Sequence, residues 1–226
     1  MRSTRMAGNV GRPARICRED IADAALAIGL DTFTLALIGQ MLGVDHSSLY
    51  RHVKGRDDIL FLAVDRAIAS LNWEPEQPAS WPSYLEYIAE SVWTLYERYP
   101  GLASTIRMME NTPPAIVKAF SHACHRLIDF GFCEEDAALI MDSIMDMTCD
   151  SASLWQRMSQ QGENGKTIAE NISRSWSDAK DDDTTSQVTL VQNIIMGSAK
   201  HWWRKKLVLL IHGAAAYAPD SDKHQV

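Results

Sequence analysis

The stretch Phe33–Ile59, FTLALIGQMLGVDHSSLYRHVKGRDDI, constrains this chain more than any other. Thr34 suits the N-cap of a helix on which Leu35, Ile38 and Leu42 share one face. Gly43 breaks that helix, because glycine alone enters a left-handed turn without steric cost. Val44 fills the angle, and a second helix from Asp45/His46 to His52 turns Leu49 inward. Helix, glycine turn, helix is the helix-turn-helix pattern, whose second helix lies in the major groove of DNA. The face left over carries His46, Ser47, Ser48, Tyr50, Arg51 and His52, a set able to reach base edges and phosphates together.

The run Gly43-Val44, Ser48-Leu49-Tyr50, His52-Val53-Lys54, Arg56-Asp57 and Ile59-Leu60 resembles the signature of the tetracycline-repressor (TetR) family of transcriptional regulators. His52-Val53-Lys54 is similar to the tetracycline-responsive branch, and the likeness extends over residues 12–70. It implies that Tyr50 and His52 bind phosphate. Arg56 stands where the family has a phosphate-binding lysine, and Gly11-Arg12-Pro13 resembles the arm that reaches the minor groove. The same terminal residues also suit an ordinary tail. Two positions depart from the family pattern: Ala36 replaces a frequent arginine, and Gly39 replaces a small alanine. The expected DNA-binding set is Arg12, Thr34, His46, Ser47, Ser48, Tyr50, Arg51, His52, Lys54 and Arg56, and the partner is double-stranded operator DNA.

Charge agrees with binding at one end. The whole chain carries −7, too acidic to coat nucleic acid along its length. Residues 1–70 hold nine Arg/Lys against eight Asp/Glu, net +1, so the remainder carries −8. Residues 1–18 hold five arginines and no acid. Those arginines have no apolar segment behind them, so no secretory leader is expected. The apolar run Leu207–Ala218 is too short to span a bilayer and contains His212. Four cysteines without metal-ligand spacing suggest reduced thiols and a cytoplasmic protein. With 46% hydrophobic residues, a sizeable core can form.

The pattern is helical elsewhere. Helix 18–28 buries Ile21, Ala24, Ala25 and Ile28 and stops at Gly29; another opens at Arg56 and runs to Leu71. Three prolines in residues 72–82 mark a linker. Helices follow over 83–99, 102–110, 114–130 and 134–158. Residues 159–187 read as a polar loop with at most one short helix around Ile168–Trp176, and a last helix covers 188–217. The expected division is a basic arm (1–17), a helix-turn-helix domain (18–71), the linker (72–82), a ligand-binding and dimerisation domain (83–218) and a tail (219–226). The fold class is all-α: an amino-terminal three-helix helix-turn-helix domain plus a carboxy-terminal helical bundle.

The bundle's chemistry is less specific. Methionines and aromatics on 83–99, 102–110, 114–130 and 134–158, helices that surround the effector in the resembled family, suggest a soft cavity for a mostly apolar small molecule. Trp93, Tyr96, Met109, His125, Met145 and Trp155 are the candidate wall, with His125 among its few polar groups. By resemblance, helices 134–158 and 188–217 supply a homodimer interface. In Trp202-Trp203-Arg204-Lys205-Lys206 the aromatics should pack and the basic triplet face water. A rival reading is an all-α metal-binding or enzymatic bundle that uses His122, His125 and the stripe Asp142, Asp146, Asp150. That stripe equally suits a solvated face. No nucleophile elbow, phosphate loop, HExxH or CxxC is present, so neither catalysis, a cofactor, a bound metal nor a membrane partner is expected.

Overall fold

The computed structural model describes residues 16–74, 80–162, 164–179, 181 and 183–219. Residues 1–15 of the arm, Arg12 among them, linker residues 75–79 and residues 220–226 of the tail lie outside the described residues.

The chain begins with α1 (Arg18–Ile28) and α2 (Leu35–Leu42). Glu19 and Asp20 stand in the first turn of α1, where the helix dipole favours them. Thr34 caps α2 by accepting from Leu37 N at 3.2 Å. Gly43 closes α2 in the left-handed region, at φ 67°. The recognition segment His46–Arg51 is a 3₁₀ helix, tighter than the α-helix expected. Gly39 accounts for the tight packing there. A Cβ on it would sit 2.9 Å from Val44 O and 3.1 Å from His46 N, so this glycine lets α2 lie against the turn.

Next comes α3 (Arg56–Ala69), which packs along α1 and continues into the body of the molecule. The body comprises α4 (Trp81–Arg98), α5 (Leu102–Met108), α6 (Pro114–Asp129), α7 (Glu134–Met158) and α10 (Ala199–Ala214). Among these α7 is central, touching α4, α5, α6 and α10. Trp203 of α10 is fully buried, stacks on Trp93 of α4 at 4.6 Å and donates to Thr148 Oγ1 of α7 at 3.1 Å. Arg204 and Lys200 of α10 pair with Glu90 of α4; Arg204 and Lys205 are exposed as the pattern implied, whereas Lys206 is half-buried and turns to Ser151 Oγ of α7.

Two departures lie near the carboxy-terminal end. α8 (Ile168–Asp178) and α9 (Thr185–Met196) form a hairpin that contributes one buried residue, Val188. The helix expected over 188–217 is two helices, broken at Gly197-Ser198. A Cβ at residue 197 would meet Asn193 O at 2.7 Å, and Ser198 caps α10 by accepting from His201 N. Among the described residues there is no strand, and no helix is long and apolar enough to cross a membrane.

Candidate nucleic-acid interface and ligand cavities

The recognition segment is held from beneath. Leu49 is fully buried, and Asp45 caps the segment by accepting from Ser47 N at 2.8 Å; the Ser47 hydroxyl and this N–H hold its carboxyl below the usual range. The Ser48 hydroxyl turns back to Asp45 O, so Ser48 serves the turn rather than a free face. At the far end Asp58 accepts from Lys54 N at 3.0 Å and from Arg18 at 2.8 Å, while Arg18 also donates to His52 O. That pair ties α1, the recognition segment and α3 together.

The outward residues are His46, Ser47, Tyr50 and Arg51, all exposed, with Lys54 beside them and His52 half-buried. The side chains of Tyr50, Arg51 and Lys54 have no hydrogen-bond partner among the described residues, which leaves them available. Thr34 is exposed at the start of α2, beyond its capping role. Arg56 opens α3 where expected, but its guanidinium is engaged within the helix-turn-helix corner. Its guanidinium donates to Phe33 O at 2.6 Å and Leu30 O at 2.7 Å and covers the Phe33 ring at 4.2 Å. The carbonyls that end the α1–α2 corner need donors, and a forked guanidinium supplies two where a lysine would supply one point charge.

A cavity of about 310 Å³ lies in the body among α3, α4, α5, α6 and α7. Its apolar wall includes Ile68, Val92, Ile116, Phe120, Met141 and Met145, and Ala119 and Ala123 leave the space that larger residues would fill. Tyr96 and Cys149 stand in it, and burial pushes both their acidities toward the neutral form. Arg107, Asp142 and Asp146 complete its lining.

Of the six candidate wall residues, Tyr96 and Met145 line this cavity. Trp93 and Trp155 line a separate one of about 250 Å³, which Tyr96 also reaches. Met109 lines a third, about 480 Å³, between the α1–α2 corner and α5. His125 is exposed, with Nδ1 2.7 Å from Ser121 O, and lines none of these. The residues the reading missed, Ile116, Ala119, Phe120 and Ala123, sit at i, i+3, i+4 and i+7 on α6. Their mixture of small and large side chains was the available signal.

The aspartate stripe has an internal partner. Arg107 of α5 donates to Asp150 at 2.6 Å and to Asp146 at 3.3 Å, offsetting the repulsion between them. His122 Nε2 lies 3.4 Å from Glu74, apart from His125. Among the described residues no three His, Cys, Asp or Glu side chains converge on a point that could hold a metal. The rival bundle reading is not favoured.

No family sequence profile matches the chain, and no curated protein matches it by sequence. Solved structures do match by shape. The TetR family protein ActR of Streptomyces coelicolor, in complex with (S)-DNPA, is 20% identical with a TM-score of 0.73; the match covers 91% of this chain and 100% of that one. ActR in complex with actinorhodin is likewise 20% identical at 0.73, over 92% and 99%. TetR of Acinetobacter baumannii AYE is 18% identical with a TM-score of 0.63, over 89% and 98%. Helix order, the helix-turn-helix corner and near-full coverage agree: the fold of this chain is that of the TetR-family regulators.

Proposed function

We propose that the chain is a homodimeric transcriptional repressor, without catalytic activity, that a small and mostly apolar molecule releases from a palindromic operator. One observation carries this reading. The 310 Å³ cavity takes part of its wall from Ile68, on the same uninterrupted helix whose first residue, Arg56, grips the helix-turn-helix corner. The intervening helix is about 18 Å long at 1.5 Å per residue. A ligand that fits only when α3 is displaced would therefore move the recognition segment. It shifts the equilibrium by no more than its differential affinity for the two positions.

A second contact couples the same elements. Pro113-Pro114 opens α6, so Ala115 supplies its first backbone donor, and Asp65 of α3 accepts that N–H at 2.7 Å. Two of the related structures hold small molecules, (S)-DNPA and actinorhodin, within the same fold. By that analogy the described cavity is the effector site, and a regulator that reads operator DNA works in the cytoplasm.

The dimer follows from what is left uncovered. Leu139 and Leu154 of α7, Val208 and Leu209 of α10, and Leu190 and Met196 of α9 are exposed, Leu209 by 72%. One recognition segment also covers too little groove for strong specificity. Leu209→Glu should yield monomers by sedimentation and lose operator affinity; a wild-type monomer at micromolar concentration would refute the dimer. Selection from random DNA tests the whole reading and should recover an inverted repeat. A thermal-shift compound screen followed by DNA release then tests the effector, since ligand at a hundred times its Kd adds about 2.7 kcal/mol. Recovery of no preferred sequence would sink the repressor assignment.

A further inference from the structure

We infer that the effector site is divided: the Tyr96 side chain separates two chambers that together accept an elongated, uncharged molecule of two joined aromatic ring systems. The inference rests on the effector reading above and names its ligand class.

Tyr96 lines both the 310 Å³ cavity and the 250 Å³ cavity. Its neighbours on α4 show why. Val92, four residues before it, faces the first chamber, and Trp93, three before, faces the second. Successive helix positions turn by about 100°, so Tyr96 sits on the ridge between those faces. Along α7 the division is again local. Met141, Met145 and Cys149 line the first chamber, and Ala152, Gln156 and Ser159 line the second. Their spacing of three and four residues makes one continuous stripe, so the chambers are consecutive lengths of one trough. Tyr96 is the one lining residue that the two chambers share among the described residues.

The backbone beneath that side chain is fixed. Gln156 donates to Tyr96 O at 2.9 Å and accepts from Gly101 N at 3.2 Å, so opening the partition requires rotation of the phenol ring and no movement of α4. Rotamer change of one ring is a far smaller event than helix displacement.

Volume and chemistry set the ligand. The first chamber alone lies at the lower limit for small-molecule sites, which run from about 300 to 1,000 Å³. Joining the second chamber brings the site well inside that range. The second chamber is lined by Trp93, one face of which is stacked on Trp203, and by the half-buried Trp155. Its carboxylate is already committed: Glu97 accepts from Trp93 Nε1 at 2.7 Å and pairs with Lys200 at 3.3 Å. With that charge balanced, the chamber selects an uncharged ring that stacks on indole rather than a cation. A polar substituent belongs at the other end, beside Asp142, whose carboxylate has no ion-pair partner among the described residues.

The test compares two uncharged phenols on the full-length protein, 2-naphthol for one chamber and trans-4-hydroxystilbene for both, by calorimetric titration. Wild type should bind hydroxystilbene at least fivefold more tightly. Trp155→Ala, at a half-buried position, should remove that advantage and change 2-naphthol less than twofold. Ala119→Leu, which intrudes on the first chamber, should weaken both. Tyr96→Leu should raise hydroxystilbene affinity threefold or more; circular dichroism and thermal melting verify folding, and Trp155→Ala stands alone if Tyr96→Leu fails to fold. Equal effects of Trp155→Ala on the two probes, or none on either, would overturn the divided site while leaving the effector reading intact. Binding of neither probe to wild type would overturn both.

Discussion

The head and the body use their polar groups in opposite ways. In the head nearly every group that could be used internally is used: Arg56 serves two carbonyls, Asp58 joins α1 to the end of the recognition segment, Asp45 caps that segment and Ser48 folds back on it. What remains outside is a short set of exposed side chains around Tyr50 and Arg51. The body holds its helices largely by apolar contact and leaves room among them. Tyr84 Oη is buried without a hydrogen-bond partner among the described residues. A reader of DNA must present fixed donors, because a shifted side chain loses its base. A ligand sensor needs space and two packings of similar energy.

The largest effect should come from removing the fixed donors. On the proposed reading, Tyr50→Ala with Arg51→Ala deletes two contacts from each half-site. At about 1 kcal/mol each, four contacts lower operator affinity about a thousandfold. Melting temperature should hold, since Tyr50 is 59% exposed and supports nothing beneath it. Binding measured across salt concentrations checks the origin, because a phosphate contact lowers the salt slope by about one per site. Unchanged affinity in the folded double variant would remove the recognition segment from the interface.

Arg56 separates a structural role from a DNA contact. As a clamp on Leu30 O and Phe33 O, its replacement by alanine should cost the head about 2–3 kcal/mol, two charge-assisted hydrogen bonds discounted for partial exposure. Arg56→Lys should recover only part of that stability, because one ammonium cannot fork to two carbonyls. A phosphate contact would behave otherwise: Arg56→Lys would then melt and bind like wild type.

This contrast also explains what the sequence could reveal. Thr34, Gly43, Leu49 and the Arg18–Ile28 helix were legible because each obeys a local rule of capping, left-handed turn or helical spacing. Arg56 was legible as a charge but not as a clamp, since its acceptors are carbonyls 23 and 26 residues away. In the body the helices were legible and the cavity was not. Trp93, Tyr96 and Trp155 share a chemistry that fits core and cavity equally. Only the rotation of α4 against α7 and α10 decides that Trp93 stacks on Trp203 while Val92 faces the larger chamber. The break at Gly197-Ser198 carried a local signal, a glycine followed by a capping serine, hidden within an apolar run.

Asp65 belongs to both regions, so its effect should be intermediate. Asp65→Ala removes the acceptor from Ala115 N, and the loss of a helix N-cap costs about 1 kcal/mol. Its distinguishing outcome is functional. Operator affinity without ligand should change little, while the ligand concentration needed to release DNA should rise, because α6 no longer pulls on α3. If release is unchanged and only stability falls, Asp65 is a cap without a part in coupling.

The smallest effect sharpens the account of the body's orphaned group. Tyr84 is fully buried, and its hydroxyl has no hydrogen-bond partner among the described residues. An unmade hydrogen bond costs desolvation and returns nothing, so Tyr84→Phe should be neutral or stabilise by up to about 1 kcal/mol at pH 7. Alkaline pH magnifies the difference. Burial pushes the Tyr84 phenol up to about 12, against an ordinary value of 10.0. Between those values the unfolded chain releases this proton and the folded chain keeps it, so the folded state binds more protons and stability falls as pH rises. Below pH 10 both states hold the proton and the contribution is flat. Tyr84→Phe should therefore flatten part of the decline above pH 10, leaving the part due to Tyr96, whose phenol burial also raises. Denaturant midpoints at pH 8 and pH 11 measure it. A Tyr84→Phe variant that is less stable at both would mean that the hydroxyl has a partner after all.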